Sequence, residues 1–193
     1  MSTIAERLIS PATIRAAAAR IDGIAVRTPL VEAAFPGVSG YGMDHRVWLK
    51  AESLQPIGAF KIRGAANKIL QLAPDELKSG VITYSSGNHA QGVAYAARSV
   101  GARAVIVMPQ NAPAIKRAST IALGAEVVDV GNASTERLRV AQELVARHGY
   151  IVIPPYDDEH IIAGQATCGL DIVEEIPDVD LVLPPISVGG QLS

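Results

Sequence analysis

The sequence predicts an α/β fold built on a parallel sheet, and three observations carry that expectation. Short strand-forming runs recur at Val81–Tyr84, Ala104–Met108, Glu126–Val130, Tyr150–Ile153 and Leu181–Leu183. Helical stretches separate them and close on Gly101, Gly124 and Gly149. Alternation of this kind builds βαβ units with right-handed crossovers. The composition agrees: the chain is 49% apolar and only 4% aromatic, which suits helices packed on a buried sheet.

The elements follow in order. Ser10-Pro11 reads as an N-cap with proline at the first helical position, and Ile14, Ala17, Ala18 and Ile21 then share one helical face. Pro29 and Pro36 punctuate a loop region before a short strand at Arg46–Lys50. A helix through Val93, Ala97 and Val100 follows the Val81–Tyr84 strand, and a second runs from Pro113 to about Leu123. Asn132 or Ser134 caps a third, in which Leu138, Ala141 and Val145 share a face. His160 to about Ile176 forms the last helix. The run then ends in a glycine-containing loop, Val188–Gln191, without a following helix, and reads as a unit cut short.

The 193 residues suffice for one good α/β domain or two small lobes sharing a core. A formal charge of −2 with no basic stripe argues against a nucleic-acid surface. Cys168 is the only cysteine, so neither an internal disulfide nor a cysteine-pair zinc site is available, and it reads as a small buried hydrophobe. The four histidines show no metal-ligand spacing, and no metal is expected. No N-terminal signal and no apolar run of spanning length is seen, so no membrane partner is expected and the cytoplasm is the expected location.

Three segments could carry chemistry. In Gly58-Ala59-Phe60-Lys61-Ile62-Arg63-Gly64-Ala65 a glycine turn leads into a helix that opens on a lysine between two apolar neighbours. A desolvated amine there would have a lowered pKa and could form a Schiff base. The same lysine also reads as an exposed residue at a helix start. Ser85-Ser86-Gly87-Asn88-His89 joins a strand end to a helix start, where free N–H groups favour an anion and where parallel sheets bind ligands. It reads equally as a polar cap. Ser187-Val188-Gly189-Gly190-Gln191 could cradle a phosphate through backbone amides, or simply turn the chain.

Together these segments resemble the fold-type-II pyridoxal-phosphate (PLP) enzymes, in particular the threonine/serine dehydratase and serine racemase branch. Gly58–Ala65 is similar to the cofactor-lysine motif, with Ala59 where serine is common, and Ser85–His89 is similar to the asparagine loop. Pro155–Asp158 followed by Ile162-Ala163-Gly164-Gln165 is similar to a segment frequent in the dehydratases. The family's phosphate loop is usually three or four glycines; Val188 and Gln191 hold two of those positions here. The resemblance runs from about residue 10 to the end.

It implies a three-layer αβα architecture of the tryptophan synthase β-like kind, apparently truncated. Residues 1–52 would begin a large lobe, 53–155 would form a small lobe with the cofactor lysine and asparagine loop, and 156–193 would return into the large lobe. Lys61 would hold PLP and move protons at the substrate Cα, with Phe60 beside the ring and Asn88 bonded to a ring oxygen. Gly189 and Gly190 would hold the phosphate. Ser85, Ser86, Gly87, His89 and Asp158 would surround the substrate, and Ser86 could also act as acid/base on the opposite face. The implied reaction is β-elimination from threonine or serine, giving a 2-oxo acid and ammonia. Serine racemisation, hydroxyaspartate dehydration, or a silent fragment that binds a ligand or partner chain are the alternatives. A homo-oligomer, dimer or tetramer, is implied if the full fold is present. A nucleotide-binding Rossmann domain is set aside because Gly-x-Gly-x-x-Gly is missing.

Overall fold

The computed structural model describes residues 9–33 and 46–185. Helix α1 spans Pro11–Ile21, with Ser10 Oγ accepting from Thr13 N at 3.1 Å, as its N-cap signature predicts. Strands β1 (Leu30–Ala33) and β2 (Val47–Lys50) pair antiparallel, Leu30 opposite Lys50. A 3₁₀ turn at Glu52–Leu54 leads to α2 (Lys61–Ile69), followed by α3 (Pro74–Ser79). Then come β3 (Val81–Tyr84), α4 (Asn88–Ser99), β4 (Ala104–Pro109), α5 (Ala114–Ala122) and β5 (Glu126–Val130). α6 (Ser134–His148), β6 (Ile151–Val152) and α7 (Glu159–Glu175) complete the order.

The second sheet is four-stranded, ordered β5-β4-β3-β6, and all three pairings are parallel. Side chains alternate across β3 and β4 with the period-2 pleat. Ile82, Val105 and Val107 face Ala141, Val140, Leu144 and Val145 of α6. Val81, Ile106 and Met108 face the other way, into a core with α2 and α4. Helices therefore cover both faces, the three-layer arrangement expected. All six residues of β4 are buried, as a central parallel strand requires.

α2 is the most enclosed helix: eight of its nine residues are buried, including Lys61, Arg63 and Asn67. Two glycines explain how. A Cβ on Gly164 of α7 would sit 2.5 Å from the Arg63 carbonyl, and one on Gly64 would sit 2.8 Å from the Ile161 carbonyl. The two helices meet backbone to backbone, an approach that only glycine permits.

Several expectations are corrected. Leu181–Leu183 forms no strand; Leu181 and Leu183 are exposed, and the segment joins neither described sheet. Neither Asn132 nor Ser134 caps α6: Ala133 holds the cap position, and Asn132 Oδ1 instead accepts from Asn111 N at 3.3 Å. Leu138 is 40% exposed while Ala141 is buried, so the α6 stripe is narrower than its periodicity suggests. β1, α3 and the 3₁₀ turn carry short or proline-broken patterns that gave no periodic signal. Cys168 is buried as expected, and desolvation pushes its thiol up to about 11.

Candidate functional site

The site forms where α2 and α4 begin. Gly58 turns the chain at φ 71°, its N–H bonded to Gln55 O at 2.7 Å, and this delivers Phe60 and Lys61 to the start of α2. Lys61 is 8% exposed. Its Nζ donates to the carbonyl of Pro155 at 2.9 Å and lies 5.2 Å from the centre of the Phe60 ring. Among the described residues no carboxylate pairs with it, and desolvation lowers its pKa below the usual lysine value. A shift in that direction favours the neutral form, the only form of an amine that attacks a carbonyl.

The Ser85–Gly87 loop joins β3 to α4. Ser85 Oγ accepts from Gly87 N at 3.2 Å, Ser85, Ser86 and Gly87 are half-buried, and Asn88 is exposed as the first residue of the helix. Gly87 occupies the N-cap position with no side-chain cap, so the first N–H groups of α4 remain available to an anion. Close approach of α4 to α2 is again a glycine matter: a Cβ on Gly92 would come within 3.1 Å of the Lys61 carbonyl.

The side chains of His89 and Asp158 are both engaged in the fold, so the loop-amide role that the resemblance implies for His89 falls to its backbone. The His89 ring is 3% exposed and points inward, Nε2 lying 3.0 Å from the Ile153 carbonyl. Desolvation, reinforced by the nearby Lys61 charge and opposed by the Ile153 bond, lowers its pKa to about 4. It is therefore neutral near pH 7, and its side chain belongs to the core rather than to a substrate surface. Asp158 caps α7, accepting from His160 N and Ile161 N at 3.1 Å each, and pairs with Lys68 at 2.6 Å. Its carboxylate is committed to the helix start. Gly189 and Gly190 lie outside the described residues, as do Val188 and Gln191.

Sequence reasoning missed the support beneath Lys61. Arg63 forks onto Glu52, with Nε and Nη2 each 2.8 Å from a carboxylate oxygen. It also reaches Asp171 at 2.8 Å and Thr167 at 3.0 Å. Lys50 joins Asp171 at 3.1 Å. Glu52, Thr167 and Asp171 thus meet around one guanidinium, with Lys50 joined through Asp171, and no local spacing announces such a cluster. Among the described residues no group of three histidine, cysteine, aspartate or glutamate side chains could hold a metal ion, and no helix is long and apolar enough to cross a membrane.

Comparison with known proteins agrees with this geometry. Residues 21–193 match the family model described as pyridoxal-phosphate dependent enzyme, and the chain belongs to that family. It is 42% identical over 186 residues to an L-threonine ammonia-lyase of Thermotoga maritima, covering 96% of this chain and 46% of that protein. It is 40% identical over 148 residues to an L-threo-3-hydroxyaspartate ammonia-lyase of Saccharomyces cerevisiae, covering 77% and 45% respectively. Among solved structures, maize serine racemase superposes with a TM-score of 0.87 at 37% identity, covering 94% of this chain and 54% of that one. The processed form of threonine deaminase isoform 2 from Solanum lycopersicum does so at 0.85 and 37%, covering 94% and 49%. The chain spans about half the length of the relatives it matches.

The family's group is pyridoxal phosphate, and the residues present fit it. Lys61 supplies a desolvated amine with a single neutral acceptor. The uncapped start of α4 offers donors to an anion.

Proposed function

We propose that this chain is the cofactor-lysine part of an ammonia-lyase that deaminates threonine or serine by β-elimination of the hydroxyl. The observation that carries the reading is the buried Lys61 amine, without a carboxylate partner among the described residues, set among the cofactor-lysine and asparagine-loop motifs. The chain's likeness to a threonine ammonia-lyase and a threonine deaminase supports the same substrate class.

The residues divide the work as follows. Lys61 holds the cofactor and later carries the proton at the substrate Cα. Phe60 packs beside the ring, and Asn88, exposed at the start of α4, donates to a ring oxygen. The N–H groups at the start of α4 and the Ser85 and Ser86 hydroxyls bind the substrate carboxylate, with His89 contributing its backbone rather than its ring. Gly189 and Gly190 take the phosphate. Bound pyridoxal phosphate supplies an electron sink for the Cα–H bond, while the protein supplies geometry and proton transfer. General acid/base help of this kind is worth about 10² to 10⁴ in rate. Residues 53–155 act as the lobe that presents Lys61 and the loop together.

A racemase is the second reading, favoured by the likeness to maize serine racemase. It uses the same site, with Ser86 returning a proton from the opposite face. The test is direct. The chain mixed with pyridoxal phosphate should develop a visible Schiff-base band, and Lys61→Ala should remove it. Absence of the band in the unaltered chain defeats the cofactor claim. Given the band, 2-oxobutyrate from L-threonine identifies the lyase, and D-serine from L-serine identifies the racemase.

A further inference from the structure

The buried ring of His89 has a place in the fold that the reaction above does not use. Its Nε2 meets a carbonyl, which only accepts, so Nε2 carries the proton and donates to Ile153. Nδ1 is then a bare lone pair, buried and without a hydrogen-bond partner among the described residues. The Ile153 carbonyl opens a three-residue strap, Ile153-Pro154-Pro155. The last rung of the sheet here is Ile153 N to Ile82 O at 2.9 Å. Pro154 and Pro155 have no N–H to continue the ladder, and their φ angles are restricted. Ile153 is fixed by that rung and by its fully buried side chain, whereas Pro154 and Pro155 have no ladder of their own, and the final carbonyl is the acceptor of Lys61 Nζ at 2.9 Å.

The same helix touches Lys61 at its other end. Gly92 lies one turn beyond His89 on α4, and it is at Gly92 that α4 meets the Lys61 main chain. One helix face thus governs both ends of the lysine, the backbone directly and the amine through the strap.

We propose that His89 is a positioning residue: by donating to Ile153 it anchors the proline strap whose Pro155 carbonyl holds Lys61, and so registers that amine against the Ser85–Asn88 loop. The inference deepens the cofactor reading and rests on it for its consequence, but the coupling itself belongs to the protein alone.

The experiment measures acylation of Lys61 by acetic anhydride relative to Lys78, read by peptide mass spectrometry on the full chain without cofactor. Lys78 is a suitable reference because its side chain is 77% exposed. Three variants are compared. His89→Leu removes the donor, His89→Gln keeps an N–H able to reach the strap, and Val105→Ala destabilises the core on the opposite face of the sheet. In His89→Leu the relative labelling of Lys61 should rise roughly three- to tenfold, the range that loss of one hydrogen bond corresponds to. His89→Gln and Val105→Ala should stay within about twofold of the unaltered chain. With pyridoxal phosphate added, His89→Leu should bind it weaker by a similar factor and His89→Gln should restore binding.

Unchanged labelling in His89→Leu, or an equal rise in Val105→Ala, overturns the proposal. If His89→Leu does not fold, nitrogen-15 NMR of the unaltered chain decides. A slowly exchanging Nε2–H tautomer supports the anchor, and an Nδ1–H tautomer sinks it. A missing cofactor band would defeat the functional reading while leaving the labelling result to judge the strap.

Discussion

Lys61 and Arg63 stand two residues apart on α2, both cationic by type and both buried, and the fold treats them in opposite ways. Arg63 is surrounded by charge. Burial by itself lowers its pKa, but the fork onto Glu52 and the contact with Asp171 outweigh that, so the guanidinium is held more firmly protonated than usual. Lys61 meets one neutral carbonyl and an aromatic ring, and desolvation prevails. The difference separates a charge-paired structural cation from a desolvated amine, which is what the proposed cofactor role requires. Burial alone makes neither; what decides is whether a carboxylate is buried alongside.

The largest effect that would break this comparison is on stability. Arg63→Met leaves half-buried Glu52 without its cation and Asp171 with Lys50 alone, and should cost about 3 kcal/mol in chemical denaturation. A loss under about 1 kcal/mol would show that the cluster is not the anchor of α2.

Next comes pH. The folded His89 has its pKa lowered to about 4 from the ordinary 6.5. Between those values the unfolded chain binds a proton that the folded chain does not, so stability falls as pH drops from about 6.5 towards 4. The loss reaches about 3 kcal/mol at most. It should be much smaller in His89→Gln, which has no titratable ring, and denaturation midpoints measured from about pH 7 to about pH 4 would show the difference.

Asp158→Ala removes a helix cap and the Lys68 pair, and should cost about 1–2 kcal/mol. If substrate affinity rather than stability responds, the carboxylate has the binding role that its sequence context suggests. The smallest change is expected for Lys61→Met. Replacing a desolvated amine by an apolar side chain of similar length should leave stability unchanged or raise it by up to about 1 kcal/mol, while removing the cofactor band. A destabilisation comparable to that of Arg63→Met would erase the distinction between the two cations.

Much of this was readable along the chain. Strand and glycine punctuation at Val81–Tyr84, Ala104–Met108 and Gly124 is local chemistry, set by side-chain alternation and by backbone angles that glycine tolerates. Ser10-Pro11 announced α1 for the same reason. The motifs around Lys61 and Asn88 were legible because a ligand site demands particular residues at short spacing. Leu181–Leu183 misled, since apolar character gives a segment the capacity to pair but not a neighbour to pair with.

His89 and Asp158 sit inside recognisable motifs, yet their side chains serve the core and a helix cap. Motif membership does not say which way a side chain points. The chain alone announced the four parallel strands, the longer helices and the family, but not β1, α3 or the 3₁₀ turn. The electrostatic surroundings of Lys61 came from the fold: Glu52 and Asp171 are spent on Arg63, and the Pro155 carbonyl meets the amine. Those partners lie 9 to 110 residues from Lys61 along the chain. Electrostatic environment is a property of distance in space, and folding is what brings such residues within about 3 Å or keeps them away.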